Sequence, residues 1–228
     1  MTPDTSWLRF EQGAEADLEQ FLAEAPSGRP IRLLLAGEAW GPRACELIAF
    51  SRAGLDLRVI FLRGAPLGDG ALGALAASPA LASVRSLGVE RCGLTDQGVR
   101  WLAQSPHVSG LRELYLCNRE GIETGPLNEI GDAGALALAS SPHLGQLEKL
   151  DLWNTGVGDL GLEALVASAH LPRLSSLTAW KTRLTQEGLI RVKAAAARQW
   201  ERRKAAAPGA PRCWIHSDYD ERIITWSE

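Results

Sequence analysis

Residues 147–173 read LEKLDLWNTGVGDLGLEALVASAHLPR and hold the clearest copy of a repeated unit. Leu150 and Leu152 lie three and five positions after Leu147, a spacing that puts both side chains on one face of a short strand. Val157, ten positions after Leu147, is expected to point inward where the strand turns. An apolar-rich stretch at helical spacing fills the rest of the unit. The unit therefore predicts one strand followed by one helix.

The same unit recurs along the chain at a nearly constant length. Steps of 27, 27, 36 and 27 residues separate its first apolar positions, which are Leu57, Val84, Leu111, Leu147 and Leu174. The longer step is 27 plus nine residues, and the excess falls within residues 119–129, where glycines and a proline predict a loop. This loop either adds contacts for a ligand or is a tolerated surface insertion. Residues 30–56 form a degenerate first unit, so six units are expected to stack around one core.

An acidic residue marks the start of most predicted helices. It is an aspartate in four units, Asp69, Asp96, Asp132 and Asp159, while Thr185 and Gln186 take the place in the last unit. An aspartate at a helix start accepts hydrogen bonds from the unpaired amides of the first turn. We therefore predict a row of helix N-caps and not a set of paired catalytic carboxylates, because catalysis needs a singular pocket.

Both ends of the repeat array are predicted to be covered. Residues 1–29 carry apolar side chains at roughly helical spacing and are expected to form a helical cap. The solenoid then spans residues 30–198. Residues 199–228 complete a long Ala- and Arg-rich helix and end in two β-prone runs, which predict a hairpin over the final repeat. An array capped in this way is expected to be a monomer.

The pattern LxxLxLxxN/CxL followed by a helix resembles the leucine-rich repeat, and a length of 27 with an Asp-Gly helix start is similar to the ribonuclease-inhibitor subtype. The resemblance covers about residues 30–198. It implies an α/β solenoid, a right-handed horseshoe segment with a parallel β-sheet on the concave side and helices on the convex side. Members of this subtype include nuclease inhibitors, activators of small GTPases and innate-immune sensors. The resemblance therefore implies binding and leaves the ligand open.

One repeat position departs from the family pattern. Where Asn or Cys normally forms a ladder beneath the strands, counting forward from each first apolar position finds Ala65, Cys92, Arg119, Thr155 and Thr182. Threonine can still hydrogen-bond to nearby loop backbone. We therefore expect a weakened ladder.

Composition limits the classes of partner. The formal net charge of −3 over 228 residues is too small to favour nucleic acid, and the absence of any 18-residue apolar run argues against a membrane span. Four widely spaced cysteines suit reduced thiols, so a cytoplasmic protein is expected. The excess of arginine over lysine suggests a bacterial source.

Outward positions of the predicted strands are the best candidates for a binding site. They carry aromatic residues and arginines, the types that dominate protein interfaces. The residues predicted to bind a protein partner are Phe61, Arg63, Arg85, Arg112, Tyr115, Lys149, Asp151, Trp153 and Trp180. Trp153 and Trp180 form the strongest pair because they occupy the same position in adjacent units. The alternative is that these aromatic side chains only pack against one another across neighbouring strands.

Residue types that often carry chemistry have structural explanations in this chain. His107, His143 and His170 occupy one repeat position, so repetition explains them better than a metal site, whose ligands must converge on one ion. The sequence contains no nucleophile elbow, phosphate-binding loop or HExxH motif. We therefore expect no enzymatic activity, no cofactor and no metal.

Three functions are compatible with these features. The first is a module whose concave face captures a protein partner, as an inhibitor or an immunity factor. The second is a regulator of a small GTPase, in which Arg63, Arg91 or Asn118 would approach the nucleotide. The third is a structural spacer without a dedicated ligand.

Overall fold

The computed structural model describes residues 7–206 and 213–217. In this part of the chain, eight strands form one parallel sheet in sequence order: β1 (Leu8–Phe10), β2 (Pro30–Ala36), β3 (Asp56–Arg63), β4 (Ser86–Glu90), β5 (Glu113–Tyr115), β6 (Lys149–Asp151), β7 (Ser176–Ala179) and β8 (Trp214–Ser217). The helices between them are α1 (Glu15–Glu24), α2 (Pro42–Ala49), α3 (Gly68–Ala76), α4 (Asp96–Gln104), α5 (Asp132–Ala139), α6 (Asp159–Ala167) and α7 (Gln186–Ala206). Each helix packs against the next. The fold is an α/β solenoid of the leucine-rich-repeat kind, as the sequence predicts.

The 27-residue spacing sets the register of the sheet. Ile60, Leu87, Leu114, Leu150 and Leu177 are paired in neighbouring strands and are all buried. The residues two positions further on, Leu62, Val89, Leu116, Leu152 and Ala179, are buried as well. These side chains belong to one hydrophobic cluster that runs from Phe10 to Ile215. The predicted continuous core is therefore present.

The N-terminal segment differs from the predicted helical cap. Leu8 to Phe10 form a strand that pairs in parallel with β2, and the helix covers only Glu15–Glu24. The Phe10 ring lies 5.3 Å from that of Phe21 and 6.0 Å from that of Trp40, measured between centroids. Pairing with β2 satisfies the backbone groups at the sheet edge, which a helix alone would leave open. The cap is thus a strand–helix unit.

The C-terminal end also continues the sheet. The first arm of the predicted hairpin is β8, which pairs in parallel with β7. The second arm, residues 222–226, lies outside the described residues. In α7, Gln199 donates a hydrogen bond to the carbonyl of Ser168, and Arg203 donates to the carbonyls of Leu171 and Leu174. These two side chains satisfy backbone carbonyls in the segment between α6 and β7.

The predicted N-capping aspartates act on the neighbouring helix and not on their own. Asp132 is the first residue of α5, and its Oδ1 accepts hydrogen bonds from the backbone N–H of Gly158 (2.7 Å) and Gly161 (3.0 Å) at the start of α6. Asp96, Asp132 and Asp159 lie one position past the N-cap of their own helix and Asp69 lies two positions past it, so each carboxylate reaches the next helix. The same arrangement joins Asp69 to Thr95, Asp96 to Gly131 and Gly134, and Asp159 to Thr185.

Burial by itself would raise the pKa of Asp159, but the hydrogen bonds from the Thr185 amide and hydroxyl, together with the charge of Arg191, outweigh burial and hold that pKa below its usual value. The carboxylate is therefore ionised at neutral pH, the form that caps a helix best.

The ladder beneath the strands contains an asparagine that forward counting misses. Asn128 is buried and its Oδ1 accepts hydrogen bonds from the backbone N–H of Cys92 (3.0 Å) and Leu94 (3.1 Å). Its Nδ2 donates to the carbonyls of Val89 (2.7 Å) and Leu116 (3.0 Å). Arg119, the predicted ladder residue, is exposed to solvent and is not part of the ladder. The nine inserted residues lie before the ladder position in this unit. The ladder residue is therefore found by counting two positions back from Ile130, as Thr155 lies two positions before Val157.

Two further features bear on the sequence predictions. Every helix within residues 7–206 is too short or too polar to cross a lipid bilayer. All four cysteines are free thiols; Cys45, Cys92 and Cys117 are buried and Cys213 is half-buried.

Candidate protein-binding face

The sheet has one face against the helices and one face open to solvent. We call the second the open face; it corresponds to the predicted concave side. Three rows of side chains run across it, one residue from each strand. The first row includes Arg32, Val59, Ser86, Glu113, Lys149 and Ser176, and the second Leu34, Phe61, Gly88, Tyr115, Asp151 and Thr178. The third row is Arg63, Glu90, Cys117, Trp153 and Trp180.

Two aromatic rings meet at the centre of the open face. The rings of Phe61 and Tyr115 lie 5.3 Å apart although their strands are separated by β4. They meet over Gly88, where an added Cβ would come within 2.3 Å of the Phe61 ring. The rings of this pair therefore pack on each other across β4. Both side chains are still half-exposed.

Arg63 lies between this aromatic pair and a buried acid. Its Nε donates to Oε1 of Glu90 at 3.2 Å, and its guanidinium carbon is 4.7 Å from the centroid of the Phe61 ring. Glu90 is 1% exposed. Its second oxygen, Oε2, is shielded from solvent and has no hydrogen-bond partner among the described residues. Glu90 therefore holds Arg63 in place from beneath.

A second arginine lies over a second buried acid. Arg119 Nη2 donates to Oδ2 of Asp151 at 2.6 Å, and the Arg119 guanidinium is 5.8 Å from the Trp153 ring centroid. The other carboxylate oxygen of Asp151 accepts the backbone N–H of Trp153. Asp151, a predicted contact residue, is thus buried beneath Arg119. Sequence reasoning missed Arg119 as a member of this face because it was assigned to the ladder.

The thiol of Cys117 lies between the two acids. Burial raises its pKa to about 12, with further contributions from the negative charges of Asp151 and Glu90. The thiol is therefore neutral at physiological pH. The neutral thiol therefore adds no negative charge between the two carboxyl groups.

Other predicted site residues divide into two groups. Lys149 donates to Glu113 at 2.8 Å and Arg112 lies 3.6 Å from Glu148, with both cations about half exposed. Arg85 does not present its head to the open face, since its Nη1 donates to the carbonyls of Ala82, Val84 and Gly110. Its guanidinium joins the segments that precede β4 and β5.

Trp153 and Trp180 remain side by side at the far end of the face. The backbone N–H of Asn154 donates to the carbonyl of Trp180 at 2.8 Å, which aligns the two segments beyond the ends of β6 and β7. Both indoles are half-exposed. Nε1 of Trp153 is shielded and has no acceptor among the described residues.

The inserted loop, residues 119–129, lies along one edge of the open face. Arg91 donates to the carbonyls of Thr124 and Gly125, and the Gly93 amide donates to the carbonyl of Pro126. In the opposite direction, Glu120 forms an ion pair with Lys181, which follows β7. The loop thus contacts repeats on both sides of its own. Hydrogen bonds from Arg91 and Gly93 therefore fix the loop backbone.

The repeated histidines do not converge. The backbone N–H of His107, His143 and His170 each donates to the serine two positions earlier. Within the described ranges, no group of three or more His, Cys, Asp or Glu side chains could hold a metal ion.

Comparison with known proteins adds little. No known family profile matches the chain, and no curated protein matches its sequence. Among solved structures, a chain in the complex of Rad7 and Elc1 from yeast is similar with a TM-score of 0.36 and 15% identity. The alignment covers 82% of this chain and 60% of that one, so this chain spans less than two thirds of that neighbour's length. The fold assignment rests on the register and repeats of this chain.

Proposed function

We propose that this chain is a protein-binding leucine-rich-repeat module of the ribonuclease-inhibitor-like subtype, which captures a protein partner on its open face. The observation that carries the proposal is the pair of half-exposed indoles, Trp153 and Trp180, at equivalent positions of adjacent repeats. Tryptophan is among the residues that contribute most to protein binding, since it buries a large area at a low cost in conformational entropy.

Further residues of the open face support the same function. Phe61 and Tyr115 form a half-exposed aromatic platform on the same face as the indoles, with Arg63 beside the Phe61 ring and Arg119 beside the Trp153 ring. This mixture of aromatic rings and arginines is typical of interface centres. The surface of a partner that is bound to this face would no longer be accessible to other molecules. We therefore propose action as an inhibitor or immunity factor, without a catalytic step and without a cofactor.

The setting belongs to the same proposal. The arginine-rich composition favours a bacterial source, and four unpaired thiols favour the cytoplasm. Buried residues of α1 and α7 extend the core at the two ends of the array, which favours a monomer.

Quantitative affinity capture from a native lysate tests the proposal. We expect the wild-type protein to retain a specific partner and the double variant Trp153→Ala/Trp180→Ala to lose at least about 30-fold in affinity, the loss expected for truncation of an interface hot spot. The matched control is Leu160→Ser/Ile190→Ser, which changes two side chains that are each 67% exposed on α6 and α7.

The two variants distinguish the faces of the solenoid. Thermal unfolding must show that both variants remain folded. Equal binding by the wild type and a folded tryptophan variant, or loss of binding only in the helix-face control, would refute the proposal.

A further inference from the structure

We propose that the partner segment bound on the open face is acidic, and that Arg63 and Arg119 bind its carboxylates. This inference rests on the proposed protein-binding function and adds the chemistry of the partner. It follows from how the ion pairs of the open face are oriented.

The cation is the outer member of each of the two central ion pairs. The side chains of Arg63 and Arg119 are 44% and 46% exposed, whereas those of Glu90 and Asp151 are 2% and 6% exposed. The cation is also the more exposed member in the pairs Lys149–Glu113 and Arg112–Glu148. A molecule that approaches these four pairs therefore meets the positive group first, although the net charge of the chain is −3 and the acid is the more exposed member of the edge pair Lys181–Glu120.

The buried acids also orient the two guanidinium groups. Glu90 occupies the Nε of Arg63, and Asp151 occupies one terminal nitrogen of Arg119. The ring of Phe61 borders the first guanidinium and that of Trp153 the second. A guanidinium held on one edge keeps further N–H groups in a fixed fork, and this fork matches the two oxygens of a carboxylate. Fixed donors lose less entropy on binding than free side chains.

A basic partner fits this face poorly. Glu90 and Asp151 lie beneath their arginines, so an incoming lysine or arginine would first meet like charges. Nucleic acid is also disfavoured, because its binding depends on concentrated basic charge without nearby acids. Each central cation here has a carboxylate within 3.2 Å. The arrangement favours short-range, directional binding of carboxylates.

A displayed library of random 12-residue peptides, selected on the full chain, tests the inference. We expect enrichment of Asp and Glu in the selected peptides and weaker binding at higher salt. Removing one complete ion pair, as Arg63→Gln/Glu90→Gln or as Arg119→Gln/Asp151→Asn, should weaken these peptides about 10- to 100-fold. Each double variant avoids leaving a buried carboxylate without its cation, and so keeps the fold.

Arg100→Gln is the matched control, because Arg100 is exposed on α4, away from the open face, and its side chain donates a hydrogen bond to Gln97. Its peptide affinities should equal those of the wild type. The variants Arg63→Lys and Arg119→Lys keep the charge but not the fork, and should lose part of the affinity.

The possible outcomes separate the two proposals. Selected peptides that are basic or uncharged, but still need Trp153 and Trp180, would overturn the acidic partner and leave the binding face intact. Peptides that are insensitive to both the tryptophan and the arginine variants, or a failure to enrich any sequence, would count against both. A 20-nucleotide DNA strand that binds as tightly as the peptides and depends on the same arginines would replace the acidic protein by nucleic acid.

Discussion

Asn128 holds two neighbouring repeats together through the four hydrogen bonds of its side-chain amide. The backbone of Asn128 forms two further hydrogen bonds with the side chain of Asn118: the Asn128 N–H donates to Asn118 Oδ1, and Asn118 Nδ2 donates to the Asn128 carbonyl. Both the oxygen and the nitrogen of the buried Asn128 side chain therefore have hydrogen-bond partners. In later repeats the equivalent Thr155 and Thr182 make one side-chain hydrogen bond each, to Leu152 and Ala179.

We expect Asn128→Ala to lower the free energy of unfolding by about 3 kcal/mol, because it leaves buried backbone groups unpaired and each such group costs about 1–3 kcal/mol. Thr155→Ala, the matched change in a later repeat, should cost about 1 kcal/mol. Urea unfolding monitored by circular dichroism measures both. Equal losses in the two variants would contradict the role given to Asn128.

At this scale the sequence predicts inward residues well and side-chain partners poorly. Strand alternation was enough to identify Leu150 and Leu152 as core, because the pleat fixes the direction of each side chain. The partner of Arg119 depends on how far a long side chain reaches, and neither spacing nor composition contains that information. The same holds for Arg85, whose guanidinium turns back to backbone carbonyls.

At the scale of elements, the junction between successive helices combines an aspartate with a glycine. An added Cβ at Gly161 would lie 2.7 Å from Oδ1 of Asp132 and 2.8 Å from the Cβ of Ala135. The corresponding distances to the preceding aspartate are 2.5 Å at Gly98 and 2.7 Å at Gly134. The glycine therefore provides the space into which the neighbouring carboxylate fits. The sequence shows both residues at fixed positions, but it does not show that they belong to different helices.

Gly161→Ala should destabilise the protein by about 1–3 kcal/mol, since the new methyl group overlaps the capping carboxylate. The control is Gly70→Ala in α3, where an added Cβ meets nothing within 4 Å, so the change should be neutral or stabilise by up to about 1 kcal/mol through helix propensity. Thermal unfolding of the two variants gives the comparison. A Gly161 variant as stable as the wild type would contradict the packing described for this junction.

At the scale of the whole molecule, one core runs from the first described strand to the last. Three units of the array contain a buried thiol: Cys45 in α2 and Cys92 after β4 belong to this core, whereas Cys117 after β5 lies on the open face. Burial is the main cause that raises the pKa of each to about 12. The 27-residue period predicted this continuity, because stacked units cannot bury their apolar faces alone. The N-terminal strand was not predicted, and the C-terminal strand was predicted as the arm of a hairpin and not as a parallel partner of β7, since short segments such as Leu8–Phe10 gain their structure from pairing.

In the native protein at pH 8, Cys45, Cys92 and Cys117 should resist a thiol-specific disulfide reagent, because at a pKa of about 12 only about one thiol in 10,000 is ionised. A Cys213→Ser background restricts the measurement to these three. All three should react at once after unfolding in guanidinium chloride. Rapid labelling of Cys45 or Cys92 in the folded protein would show that the core is interrupted at that repeat.

The capping aspartates give the array a direction. The starts of α4, α5, α6 and α7 are each capped by an aspartate of the preceding unit, so these junctions are alike in kind. Duplication or loss of one entire unit by recombination again places a capping aspartate beside the start of the next helix. Such a change needs no compensating substitution. Loss of part of a unit breaks that match. The geometry therefore favours evolution of this chain in whole-repeat steps, and a laboratory may lengthen it in the same way.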